Sequence, residues 1–94
     1  MQARVFKISE NLTFDTAPGL LERSKEWSAE PDGNVTIDLS SAGRTDSAGI
    51  ALMLEWIELA RSRNLELSII NMPAQIKEFI ESNGLSDLFQ KYSN

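Results

Sequence analysis

The segment "IDLSSAGRTDSAGIALMLEW", residues 37–56, passes from strand-like alternation through a short polar loop into an almost unbroken apolar run. Val35, Ile37 and Leu39 alternate with polar residues, which indicates a buried central strand. The apolar run predicts a helix over residues 46–63. A buried strand that leads directly into a long apolar helix is typical of an α/β domain.

The first part of the chain predicts two strands. "ARVFKIS" alternates, with Phe6 and Ile8 on one face and Val5 on the other, and predicts an edge or second-position strand. "NLTFDT" repeats the alternation through Leu12 and Phe14. We therefore expect the two segments to pair as a small hairpin.

A helix is predicted next, over "APGLLERSKEW". Asp15 or Thr16 is the expected N-cap, and Pro18 stands in the first turn, where proline is favourable. The predicted core stripe of this helix consists of Leu20, Leu21 and Trp27.

The last third of the chain predicts a strand and two helices. "LELSII", residues 65–70, is the strand. The next helix has Asn71 as its expected cap, Pro73 in its first turn and a stop at Asn83 and Gly84. Its predicted core stripe is Ile76, Phe79 and Ile80. A short C-terminal helix is expected to close the core with Leu85, Leu88 and Phe89.

This order of elements predicts one domain over residues 1–94. Strand-helix-strand units connect through right-handed crossovers, which make neighbouring strands parallel. Together with the N-terminal hairpin they give a small α/β fold, with a mixed β-sheet flanked by about four helices on one or both faces.

The long helix carries two apolar stripes. One stripe, expected to pack on the sheet, consists of Ile50, Met53, Leu54 and Ile57. The other, roughly opposite, consists of Ala48, Leu52, Trp56 and Leu59. Either the C-terminal helices cover the second stripe, or a partner protein or a second copy of the chain does, with Trp56 as an anchor.

Composition excludes several classes of function. The chain has no histidine and no cysteine, which removes Ser-His-Asp chemistry, thiolate nucleophiles, disulfides and Cys-ligated zinc. We therefore predict a protein that is not an enzyme and holds no metal or cofactor. A net charge of -5 opposes nucleic-acid binding. No apolar run is long enough to span a bilayer or resembles a signal peptide, which predicts a cytoplasmic protein without direct membrane insertion.

The polar junction "TDSAG" admits four interpretations. Thr45 or Asp46 can cap the helix. A phosphate cradle is disfavoured because the loop lacks P-loop glycine spacing and lysine, and Asp46 would repel an anion. Ser47 has no adjacent base and is a poor candidate nucleophile. Phosphorylation of Ser47 at the helix start stays open.

"VTIDLSSAGRTDSAGIALMLEW" resembles the signature of the STAS domain family, in which a strand ending in Asp-Leu-Ser leads into Asp-Ser-x-Gly at a helix start. The resemblance extends from "NLTFDTAPGLL" to "LELSIINMPAQIKEFIESNGLSDLF". It implies a small α/β domain that binds other proteins, with Asp38 and Gly49 as structural parts of the motif.

Two branches of the family compete. The run "ALMLEWIELARSR" is similar to MlaB-like subunits, which bind and regulate the ATPase of a phospholipid-transport ABC transporter of the MlaFEDB type. The other branch consists of anti-sigma factor antagonists, in which a partner kinase phosphorylates a serine that Ser47 matches. Ala48 stands where antagonists more often have serine or threonine, which favours the MlaB-like branch.

In either branch we expect a docking edge, lying peripherally at the inner membrane if the partner is the transporter. Its expected residues are Thr45, Asp46, Ser47 and Ala48, continued along the helix by Leu52 and Trp56. Gly49 is expected to keep the helix start slim enough for close approach. A lone lipid- or nucleotide-binding domain is a third, less supported class.

Overall fold

Three parallel strands form the sheet in the computed structural model, which describes residues 3–93. The strands are β1 (Ala3–Lys7), β2 (Gly33–Asp38) and β3 (Leu65–Ile70), in the spatial order β1-β2-β3. The helices are α1 (Ala17–Ser28), α2 (Ser47–Ser62), α3 (Ala74–Ser82) and α4 (Ser86–Gln90). The strand at residues 65–70, the central position of β2 and the edge position of β1 are as predicted.

The predicted hairpin does not form, and the sheet is parallel rather than mixed over the described residues. "NLTFDT" is a turn: the Thr16 hydroxyl accepts from the Thr13 backbone N–H at 3.0 Å and donates to the Asn11 carbonyl at 2.5 Å. Only Leu12 makes a strand-like contact, a parallel bridge to Thr45. The side-chain hydrogen bonds of this threonine compete with the ladder that alternation alone would favour.

The core lies on one face of the sheet. Val35 and Ile37 of β2 pair in register with Leu67 and Ile69 of β3, and all four are buried against the helices. No described side chain on the other face is buried. Helices on a single face follow from two right-handed crossovers that run in the same direction across the sheet.

Helices α1 and α2 pack against each other on this face, while α3 and α4 form a second pair. Helix α1 buries Leu20 and Trp27 as predicted, but Leu21 is exposed. Thr16 occupies the N-cap position of α1 without donating or accepting a side-chain cap bond.

Helix α3 begins after Pro73, and its predicted cap is wrong. Asn71 instead adopts a left-handed conformation, with φ of 56°, in the turn after β3. Ile76 and Ile80 are buried and Phe79 is half-buried, and the helix ends at Asn83 and Gly84 as expected. Of the three C-terminal apolar residues, Phe89 is buried and Leu85 and Leu88 are half-buried.

Candidate functional site

The start of α2 is fixed by Asp46, as the sequence predicted. Its Oδ1 atom accepts from the backbone N–H groups of Ala48 at 2.9 Å and Gly49 at 3.1 Å. These are two of the four N–H groups that a helix leaves without internal partners. The alternative cap, Thr45, points elsewhere and donates from Oγ1 to the Leu12 carbonyl at 3.0 Å.

Two loops are joined beside this cap. The Leu12 N–H donates to the Arg44 carbonyl at 2.7 Å, and the Asp46 N–H donates to the Leu12 carbonyl at 3.2 Å. The Asn11 side chain adds a bond from the Arg44 N–H at 2.9 Å. The segment after β1 and the junction before α2 therefore form one framework, which is why Leu12 is fully buried although it belongs to no strand.

Gly49 is buried in the first turn of α2 at the contact with this framework. A Cβ at this position would overlap the Leu12 carbonyl oxygen and the Thr45 hydroxyl. The close approach that Gly49 permits is therefore made by the chain's own Leu12 loop, and not by a partner as the sequence suggested.

Asp46 also holds Phe14, a residue that sequence reasoning placed in a strand. Its Oδ2 atom accepts from the Phe14 backbone N–H at 3.1 Å. The Phe14 ring is 77% exposed, the highest value among the large apolar side chains of the described residues. An exposed aromatic ring on a hydrogen-bonded backbone is a preorganised anchor for an interface.

The pKa of Asp46 lies below its ordinary value because the carboxylate accepts the Phe14 N–H and, more weakly, those of Gly49 and Ala48. Partial desolvation opposes this shift. Hydrogen bonds from backbone donors favour the charged form of a carboxyl group, so the framework stabilises the ionised form of Asp46. The N–H groups that a phosphate would need are already occupied by a carboxylate, which argues against a phosphate cradle.

Ser47 follows the cap and is exposed, and its hydroxyl makes no hydrogen bond to the described residues. Arg44 is exposed nearby and makes no ion pair within residues 3–93. Phe14, Arg44 and Asp46 line one side of a shallow polar cleft of about 310 Å³ that reaches Gln75 at the start of α3. Thr45, Asp46 and Ala48 are half-buried here, whereas Phe14 is exposed.

Asp38 closes β2 at the same edge of the sheet. Its Oδ1 atom accepts from the Ser40 N–H at 2.9 Å and from the Asn71 Nδ2 at 3.2 Å. These bonds, with a smaller contribution from the charge of Lys7, lower the pKa of Asp38. Asp38 thus connects the loops after β2 and β3, and its role is structural.

Leu52 and Trp56 do not extend the docking edge, and this part of the prediction is wrong. Their exposed fractions are 3% and 1%. Trp56 lines a cleft together with Leu20 and Trp27 of α1 and Ile37 of β2, so α1 and the sheet cover this part of the second apolar stripe of α2. The C-terminal helices, one of the two alternatives for this cover, pack on each other.

The exposed face of α2 is different from either apolar stripe. It starts at Ser47 and continues through Ala51, Glu55 and Glu58, which follow one another at intervals of three or four residues. Phe14, Arg44 and Ala51 are surface residues of this site that the sequence pattern does not predict. The spacing of Thr13 and Thr16, typical of a side-chain-bonded turn, was the available signal for Phe14.

Two further features of residues 3–93 bear on the kind of site. They contain no group of three or more acidic side chains placed to hold a metal ion. None of their helices combines the length and the apolar character needed to cross a membrane.

Known proteins resemble the chain in sequence pattern and in fold. A protein-family model described as "Mlab, STAS domain" matches residues 1–90. The fold is similar to that of a sulfate transporter family protein from Wolinella succinogenes, with a TM-score of 0.79 and 13% identity over 97% of this chain and 75% of that one. No curated protein sequence matches the chain significantly.

The STAS domain of a SulP transporter from Vibrio cholerae is also similar, with a TM-score of 0.73 and 14% identity over 97% of this chain and 71% of that one. At such identities the two structures establish the fold alone. They confirm the predicted small α/β domain with its flanking helices.

Proposed function

The chain belongs to the STAS-domain family, and from this we propose that it binds and regulates the ATPase subunit of a phospholipid-transport ABC transporter of the MlaFEDB type. STAS domains are typically non-enzymatic regulatory or interaction domains. The observation that carries the proposal is the family-model match over residues 1–90, whose description names Mlab. Through such a partner the domain would lie peripherally at the inner membrane.

The surface at the start of α2 supports a docking role. The docking edge that we propose omits the buried Leu52 and Trp56 of the sequence prediction and adds three exposed residues. From here on it is the set Phe14, Arg44, Thr45, Asp46, Ser47, Ala48 and Ala51. Phe14 projects from it, while the small side chains of Ser47, Ala48 and Ala51 let a partner helix approach the backbone of α2 closely. Such a combination of one aromatic anchor and a small-residue platform suits a protein groove better than a small ligand.

The rigidity of this edge explains how docking can regulate a partner. Asp46 bonds α2 and the Phe14 loop at once, and Leu12 ties the same loop to the junction. A preordered surface loses little conformational entropy on binding. Because a ligand shifts its partner toward whichever conformation it fits, a rigid edge can stabilise one state of an ATPase.

Purification of the tagged chain from its native host tests the proposal, with recovery of an ABC ATPase as the expected result. We expect Phe14→Ala to weaken this complex by roughly 10- to 100-fold, the range of an aromatic hot spot. Leu21→Ala is the matched control, because Leu21 is also an exposed apolar side chain but lies on α1. Equal affinities of the two variants would remove Phe14 from the interface.

Ser47→Asp tests the centre of the edge separately. A carboxylate at the first residue of α2 should not harm the fold, since negative charge is favourable at a helix start. It would stand beside Asp46 in the interface, and we expect weaker partner binding with an unchanged melting temperature. Ser47→Ala should bind like the wild type.

The second candidate function is an anti-sigma factor antagonist switched at Ser47. The observation that favours it is the exposed hydroxyl of this serine, which has no hydrogen-bond partner in the part of the chain that the structure describes. Phosphate would add roughly two negative charges next to Asp46 and expel a kinase partner. Recovery of a small histidine-kinase-like ATPase, with an added phosphate mass on the intact chain after incubation, would select this branch over the transporter.

A further inference from the structure

The indole N–H of Trp56 finds no hydrogen-bond acceptor in the part of the chain that the structure describes. Trp56 is 1% exposed, and within residues 3–93 its Nε1 atom is the one buried side-chain nitrogen or oxygen without a partner. A buried donor that stays unpaired destabilises a fold, because it has given up its hydrogen bond to water, and such groups are rare in native proteins. The indole N–H therefore points to an acceptor that the described residues do not supply.

The cleft beside this indole is large enough for a water molecule. Trp56 lines it together with Leu20, Ser24 and Trp27 of α1 and Ile37 of β2. The volume inside the cleft that a water molecule can occupy is about 30 Å³. One water needs about 10–15 Å³ of such volume, whereas pockets for small organic ligands measure roughly 300–1,000 Å³. The size of the cleft thus selects water.

Ser24 brings a hydrogen-bond acceptor to the same cleft. It lies between Leu20 and Trp27 on the buried stripe of α1, a position where helical periodicity favours an apolar residue. Ser24 is 2% exposed, and its hydroxyl donates to the Leu21 carbonyl in the preceding turn. A hydroxyl oxygen has two lone pairs, so after this donation it can still accept. The cleft is therefore lined by one unpaired donor and one available acceptor.

The donor and the acceptor do not meet directly. No hydrogen bond joins Trp56 Nε1 to Ser24 or to another of the described residues. Polar groups that share a cavity beyond direct reach of each other are commonly bridged by an ordered water. Arg23 and Glu26 also line the cleft and are exposed, so the cleft opens to solvent on their side. Water can enter there without unfolding of α1.

We propose that one water molecule occupies this cleft as a fixed part of the fold. It accepts the indole N–H of Trp56 and donates one hydrogen to the hydroxyl oxygen of Ser24. Its second hydrogen faces the side of the cleft that opens to solvent. Helix α1 then packs on α2 through a bridging water at this point, and neither the buried indole nor the buried serine is left with unmet hydrogen-bonding capacity.

This site is independent of the proposed docking function. No residue of the docking edge lines the cleft. Ser24→Ala should therefore bind an ATPase partner as tightly as the wild type does. A cleft without a bound water would leave the docking proposal standing, and a chain that binds no ATPase would leave the water site standing.

Nuclear magnetic resonance of the isotope-labelled chain tests the bound water directly. The chain contains two tryptophans, so two indole N–H signals are expected, and the signal of Trp56 is assigned from its contacts in the core. We expect a cross-peak between this proton and water, with the sign of a water that stays bound for longer than the protein takes to tumble. An opposite sign in the rotating frame excludes exchange of the proton with solvent. A folded chain without this cross-peak would overturn the proposal.

Ser24→Ala tests the bridge. The substitution removes the acceptor and keeps a good helix former in α1. We expect the water cross-peak of Trp56 to fall several-fold or to vanish, because the water loses one of its few partners. Ser28→Ala is the matched control, since Ser28 is also a buried serine of α1 but does not line the cleft. Circular dichroism checks that both variants fold. Equal cross-peaks in the two variants would contradict the bridge from Trp56 to Ser24.

A crystal structure that resolves ordered water provides a measurement without substitutions. We expect water density within about 2.7–3.2 Å of both Trp56 Nε1 and Ser24 Oγ. A direct hydrogen bond between these two atoms would show that the bridge is unnecessary and would overturn the proposal. An indole N–H that points at the ring of Trp27 would overturn it as well.

Discussion

At the scale of single residues, Asp46 is the point on which the docking edge depends. One carboxylate caps α2 and also holds the backbone of Phe14. A neutral amide offers one acceptor oxygen where the carboxylate offers two. When this charge is removed, the hydrogen bonds to the start of α2 and the hydrogen bond to the Phe14 N–H therefore cannot all be retained.

Asp46→Asn should change how stability depends on pH. Because the pKa of Asp46 is lowered by folding, its contribution is fully present above its unfolded value of about 3.9 and is lost as pH falls through the folded value. Urea unfolding between about pH 7 and pH 2.5 should show that acid lowers the free energy of unfolding less in the variant than in the wild type. The variant should still lose some stability in acid, because the pKa of Asp38 is lowered too. An identical loss would contradict the capping role.

Gly49 and Gly19 offer a matched pair of helical glycines. Gly49→Ala should destabilise the fold by about 1–3 kcal/mol, because its Cβ would overlap a backbone carbonyl that cannot move alone. Gly19→Ala, in the first turns of α1, meets nothing within 4 Å and should stabilise by about 0.4–1 kcal/mol. Denaturant midpoints of the two variants should move in opposite directions. A stabilised Gly49→Ala would show that the Leu12 loop does not pack as described.

At the scale of elements, sequence periodicity located the long helix and the strands β2 and β3 well. The predicted span 46–63 differs from α2 only by its two capping residues, Asp46 and Arg63. Apolar alternation and helical spacing are local signals that burial reinforces, so they predict elements such as β2 and β3 reliably. The same signals say little about what covers a helix, and for that reason they do not distinguish a buried Trp56 from a surface anchor.

The segment around Phe14 shows a second reason why the sequence pattern does not predict the whole site. Its alternation matches a strand, but Thr16 satisfies the backbone of Thr13 through its side chain and turns the chain. The loop then bonds to a junction more than 30 residues away, through Leu12 and Asp46. Such long-range bonds have no periodic signature, so alternation alone places Phe14 in a strand, and only the spacing of Thr13 and Thr16 points to the turn.

At the scale of the whole molecule, the one-sided sheet is the feature that needs an account. Parallel sheets usually have both faces covered, because crossovers place helices on them. Here polar residues such as Asn34, Thr36 and Ser68 occupy the uncovered face, where they are half-buried by neighbouring side chains of the sheet. The fold thus tolerates an open face by placing polar residues on it, with Val5 as the exposed apolar exception at the edge.

Two adjacent residues of β2 can test this one-sided architecture. Ile37 has an exposed fraction of 0% on the helix side, so Ile37→Ala should cost about 2–5 kcal/mol of unfolding free energy. Thr36 points to the open face, and Thr36→Ala should cost no more than about 1 kcal/mol, the span of β-propensity. Urea unfolding of both variants measures the difference. Comparable costs would mean that the open face is packed against something in solution.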